Sequence, residues 1–224
     1  GRGGPVTTTL RYRFVSDEFS GADPRENDAT TQSFQGRMAF RLSPVMNAFV
    51  FARYNERDIE DGNDRITSSI GVGANYTINP VTRVTASVEY DDNETKNDDG
   101  ETINSNDGIG FSVGLTNQRV TGAYRLNTSV NETINGTRFN LRGGRSFQIR
   151  DGNFDLSLGV SQSEGESLSP VVNVSYTQFI NTASRISLNF NQAADINDDD
   201  NDVIRTRASV RYSYQINSLS SLSA

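Results

Sequence analysis

The chain alternates apolar and polar residues, and the alternation hardly ever loses phase between Val6 and Ile216. Leu10, Tyr12 and Phe14 begin it, and Ile70, Val72, Ala74 and Tyr76 continue it. Val84, Ala86, Val88 and Tyr90 follow, then Ile109 to Leu115 with odd parity. Leu156, Leu158, Val160, then Val172, Val174, Tyr176, then Ile186, Leu188, Phe190 restore even numbers, and Ala208, Val210, Tyr212 and Tyr214 close the series. A period of two is the signature of a strand with two unlike faces. The spacing predicts twelve strands near 6–15, 32–42, 47–56, 65–78, 81–91, 108–117, 119–130, 137–147, 153–162, 171–180, 184–192 and 203–216. No helical period intervenes, so the pattern predicts an all-β fold, a closed antiparallel barrel of about twelve strands.

The strands cluster near the roughly 9–11 residues that a tilted strand needs to cross a bilayer. A mean hydropathy of -0.57 does not oppose such a barrel. Only every second residue of a strand meets lipid, while lumen and loops stay polar. No apolar run reaches the length of a membrane helix. Connections alternate in kind. The segments 16–31, 57–64, 92–107, 131–136, 162–169 and 193–202 read as long acidic loops. Those at 43–46, 79–80, 117–118, 150–153 and 181–184 read as short turns. This asymmetry is expected of an outer-membrane barrel with its long loops outside the cell and its turns in the periplasm. The expectation is one barrel domain over 1–224, with an N-terminal extension at 1–5 and a C-terminal tail at 217–224.

Aromatic residues gather at both ends of the apolar face. Phe14, Tyr54, Tyr90 and Phe190 precede long loops, and Phe40, Tyr76, Phe154, Tyr176, Tyr212 and Tyr214 lie near the turns. Interfacial girdles look like this. Two segments break the pattern. In 47–56, Phe49 and Phe51 lie on the otherwise polar face, and 137–147 runs with odd parity through Phe139 and Leu141.

Sorting charge by face gives the functional expectation. The chain is acidic, with a net charge of -7, which argues against a nucleic-acid partner. Yet Arg11, Arg13, Arg37, Arg41, Arg53, Arg83, Arg125, Arg138, Arg142, Arg205, Arg207 and Arg211 all fall opposite the apolar residues. Acids at such positions are few, chiefly Glu89 and Asp155. A narrow lumen focuses the field of its lining charges, arginine rings favour anions, and guanidinium matches carboxylate or phosphate with a bidentate fork. The reading is an outer-membrane channel with a basic lumen for small anions or acidic oligosaccharides. The alternative is a structural or assembly barrel, plugged by its own loops or a partner, that anchors an envelope or polysaccharide-export complex. A soluble glycan-binding β-sandwich is a third reading.

Absent residues narrow the chemistry. Without histidine there is no Ser-His catalysis, and without cysteine there is no thiol catalysis or zinc-thiolate site. No cofactor, metal site or enzymatic activity is expected. The acidic loops lack the glycine and glutamate spacing of an EF-hand and read as solvated. The expected surroundings are outer-membrane lipid and lipopolysaccharide.

The hairpin segments 40–58, 76–94 and 176–194 share one form: an aromatic end, a short turn at Ser43-Pro44, Asn79-Pro80 or Asn181-Thr182, and a strand rising to an aromatic and a polar loop. They resemble the porin-type barrels encoded with exopolysaccharide synthesis and export systems. In size and strand number the chain also resembles the small twelve-stranded porins for acidic oligosaccharides of Gram-negative bacteria. That resemblance implies a lining role for Arg11, Arg13, Arg37, Arg41, Arg53, Arg83, Arg125, Arg205, Arg207 and Arg211.

Overall fold

A computed structural model of the chain describes residues 5–17, 28–60, 63–97, 99–196, 202–215 and 220–223. Twelve long strands and one short one form a single antiparallel sheet in strict chain order. They are β1 Val6–Asp17, β2 Ala29–Arg41, β3 Met46–Ile59, β4 Asp64–Asn79, β5 Thr82–Lys96, β6 Thr102–Arg119, β7 Gly122–Thr133, β8 Gly136–Ile149, β9 Gly152–Ser163, β10 Ser169–Phe179, β11 Ser184–Ile196, β12 Asp202–Gln215 and β13 Ser221–Ser223. There is no helix among the described residues.

Register makes the two faces continuous, because directly opposed residues share a face. Phe34 lies opposite Tyr12 and Tyr54, and Val72 lies opposite Val50 and Val88. Val88 opposes Phe111, and Phe111 opposes Val130. Val130 opposes Phe139, so the odd parity of β8 is the same apolar face carried through a short hairpin. Leu158, Val172, Phe190 and Ala208 continue it across β9 to β12.

This apolar face is the exposed one. Leu10, Ile109 and Val210 are 67–69% accessible, while the most deeply buried side chains on the sheet are Thr95 and Ser161, each at 1%. A soluble sheet would bury its apolar face against a second layer. Here Glu89, Asp91 and Asn93 are buried instead. The sheet curls around its polar face. Asn131 on β7 reaches Glu89 on β5, and the Arg65 guanidinium at the start of β4 donates to the Ile196 carbonyl at the end of β11 at 3.5 Å.

Three expectations change. First, the ladder runs from β1 to β13 without a pairing between its two ends among the described residues, so the closing pair of a barrel is not formed there. Second, the region expected to be a tail includes β13, which pairs with Ser213–Gln215 on the free edge of β12. Third, several expected loops are strand. Asp92 pairs with Asp107, Asn93 with Asn106 and Glu94 with Ser105, so only the tip of 92–107 is a turn. Segment 131–136 is a tight hairpin, in which Thr133 pairs with Gly136 and Gly136 takes the left-handed φ of 94° that glycine tolerates. The expected loop centres at 18–27, 61–62 and 197–201, and residues 1–4 of the expected extension, lie outside the described residues.

Candidate functional site

Strand alternation puts all twelve predicted arginines on the inner, polar face. Opposed pairs such as Arg11 with Gln35, Arg37 with Phe51, Arg41 with Asn47, Arg125 with Gly144 and Arg211 with Ser187 fix that assignment. They do not form one uniform track. Some are drawn into two interior cavities, and others stand apart.

The first cavity, about 580 Å³, is lined by Arg11, Arg37 and Arg53 with Phe49, Phe51, Glu89 and Asn131. Phe49 and Phe51 break the polar pattern of β3 because they serve as platforms. The Arg37 guanidinium lies 3.5 Å from the centroid of Phe49, and that of Arg53 lies 4.9 Å from Phe51. Cation–π stacking fixes such side chains while leaving their donors free. Space for the rings comes from the next strand: Cβ atoms at Gly71 and Gly73 would fall 2.6 Å and 2.4 Å from the tips of Phe51 and Phe49.

The second cavity, about 400 Å³, lies toward the long-loop end and is of mixed charge. Arg53, Arg65 and Arg138 line it, with Asp91, Glu132 and Asp195. The two cavities meet at Gln35, Arg53 and Asn131. There the Arg53 guanidinium forms an ion pair with Glu89, and the Asn131 amide donates to the other Glu89 oxygen at 3.2 Å. Arg53 also donates to the Ser69 hydroxyl at 3.1 Å. This bridge spans from β3 to β7 and divides the interior.

The β7–β8 hairpin closes over the second cavity. Pairing of β7 with β6 ends at Val130, which frees Asn131–Thr133 to lean inward. The Asn93 amide donates to the Glu132 carbonyl at 3.3 Å, and the Asn106 amide donates to the Thr133 carbonyl at 2.7 Å and to the Glu132 carboxylate at 3.3 Å. The Glu132 backbone N–H lies beside the buried Asp91 carboxylate. Ile134, at the tip, is buried. An expected external loop is thus an internal constriction.

Three further arginines have fixed partners. Arg125 pairs with Asp155 at 2.8 Å, Arg205 with Asp195 at 3.0 Å, and Arg138 donates to the Ser163 hydroxyl at 3.0 Å. Arg142 lines a third cavity with Asn127 and Asn140. Arg211 lies with Arg185 beside β13. Arg13, Arg41, Arg83 and Arg207 share the face but line none of these cavities. Sequence reasoning found Glu89 and Asp155 but missed Asp91, Asp195 and Arg65. All three have inner-face parity, in segments that were read as loop or as strand end.

No family model and no curated protein matches the chain. Among solved structures, the chain is similar to a mutant of the ferric enterobactin receptor from Pseudomonas aeruginosa, at 8% identity and a TM-score of 0.49. The alignment covers 94% of this chain and 46% of the receptor, so the chain spans about half the receptor's length.

Proposed function

We propose that the chain is an outer-membrane β-barrel that passes small anions or acidic oligosaccharides through a basic but constricted interior. The observation that carries this reading is the inverted sheet: its apolar face is continuous over twelve strands and exposed, while its inner face is polar and arginine-rich. Only a hydrocarbon solvent makes that arrangement favourable over a whole sheet. In lipid every backbone group needs a partner, so β1 would pair with the part of β12 that β13 leaves free and close the barrel. The stacked Arg37, with Arg11, would offer an anion several oriented donors beside the Arg53–Glu89 pair.

The second reading, a plugged structural barrel, draws on the inward β7–β8 hairpin and the Arg53–Glu89–Asn131 bridge. Conductance of the detergent-refolded protein in a planar bilayer under a KCl gradient separates the two. Open steps that reverse toward the chloride potential are expected. Insertion without steps would favour the plugged barrel and turn the search to envelope partners.

A further inference from the structure

Arg145 faces away from the arginine-rich side, within the ladder rather than at a hairpin end as Arg119 does. Arg145 lies opposite Tyr124 and Leu156, and therefore on the exposed apolar face. Its guanidinium lies over two rings, 4.6 Å from the Tyr124 centroid and 4.3 Å from that of Phe147. It has neither an acidic partner nor a hydrogen-bond acceptor among the described residues, although guanidinium carries five donors. A bare guanidinium against hydrocarbon is costly, so its fork calls for an anion at the membrane interface.

The surroundings say which anion. Arg145 sits near the short-turn end of its strand, five residues before Arg150 in the β8–β9 turn. One step toward the middle of the sheet on the same face is Gly143, opposite Leu126 and Leu158. A Cβ there would meet nothing within 4 Å, so the face has a notch between two exposed leucines. A charged fork at the interface with an apolar notch on its membrane side matches a molecule with an anionic head and a hydrocarbon tail.

We propose that Arg145, held by Tyr124 and Phe147, binds the phosphate of one phospholipid of the periplasmic leaflet, with an acyl chain in the Gly143 notch. The site rests on the outer-membrane reading. Aromatic stacking holds the guanidinium flat, so that its edge presents donors to the phosphate, and the notch sets the direction of the chain.

The test is native mass spectrometry of the refolded protein in detergent micelles titrated with phosphatidylglycerol, with folding checked by heat-modifiable gel migration. One lipid is expected to be retained per protein, with affinity about tenfold weaker in Arg145→Ala, the scale of a lost charge-assisted pair. Gly143→Phe, which keeps the arginine and fills the notch, is expected to lose the lipid as well. Arg150→Ala, at the exposed turn, is expected to match the unaltered chain. Equal retention by Arg145→Ala would overturn the site. Displacement of the lipid by inorganic phosphate at equal concentration would overturn the lipid assignment, since free phosphate would then be the ligand. A chain that folds in buffer and never enters micelles would overturn the outer-membrane reading, and the site with it.

Discussion

The inner face has two regions built from the same alphabet and finished differently. From β3 to β9 key charges are paired and partly buried: Glu89 holds Arg53 and Asn131, and Asp155 holds Arg125. On the outermost long strands, β1 and β12, Arg205 pairs with Asp195, but Arg11, Arg13, Arg207 and Arg211 are exposed and have no acidic partner among the described residues. A count of arginines on the face therefore overstates the basicity of the paired wall, where acids neutralise them. In the paired wall arginine works as a cross-brace. At the margins it remains available to an anion, and closure of β1 on β12 would bring those free charges side by side.

Substitutions that separate the two regions should differ in size. The largest effect is expected from Gly71→Val in the paired wall. Even a Cβ there would lie 2.6 Å from the Val88 carbonyl oxygen and 2.8 Å from the Glu89 Cβ, and the former is backbone that cannot step aside. A loss of about 3 kcal/mol is expected by denaturant unfolding in lipid. A wild-type midpoint would mean that the wall is loosely packed.

Glu89→Ala comes next. It leaves Arg53 and Asn131 without their shared acceptor. Because the Arg53 side chain is 49% accessible, water recovers part of the cost, and a loss of about 1–2 kcal/mol is expected. The same variant opens the bridge between the two cavities, so single-channel conductance should rise. A fall in stability with unchanged conductance would leave Glu89 as a brace and remove it from the constriction.

The smallest effect on stability, within about 0.5 kcal/mol, is expected for Arg207→Ser combined with Arg211→Ser, because neither has an acidic partner among the described residues. Its signature is functional instead: the reversal potential under a KCl gradient should move away from the chloride potential. An unmoved reversal potential would show that the margin does not set selectivity.

Much of this was legible in the sequence. Strand number and face assignment follow from period-two alternation, and each of the twelve arginines lies on the face its parity indicates. The outer strand ends were not legible, because alternation marks a strand only where its two faces meet different surroundings. Beyond that band, Asp91–Lys96 continues as strand with polar residues on both faces, and nothing in its pattern separates it from a loop. The hairpin at 131–136 was misread for a related reason. Its Glu132 and Asn131 look solvated, but Asn93 and Asn106 hold the glutamate and Asn131 donates to Glu89 across the interior. Phe49 and Phe51 did leave a readable signal in Gly71 and Gly73, one strand on, which make room for them. Arg145 was readable too. Once Phe139 and Leu141 set the odd residues of β8 on the apolar face, Arg145 belongs there with them.

In an outer-membrane barrel the exposed apolar face would meet lipid and the opposite face water. The chain has no cysteine, so a single introduced thiol is the only one present. Spin labels placed one at a time at residues 206–212 of β12, in the refolded protein in liposomes, test this arrangement through their collisions with oxygen and with a water-soluble nickel chelate. The account predicts a period of two, with labels at 208, 210 and 212 favouring oxygen and those at 207, 209 and 211 favouring the chelate. Equal access of the chelate to both sets would contradict it and leave a sheet that is exposed to water on both faces.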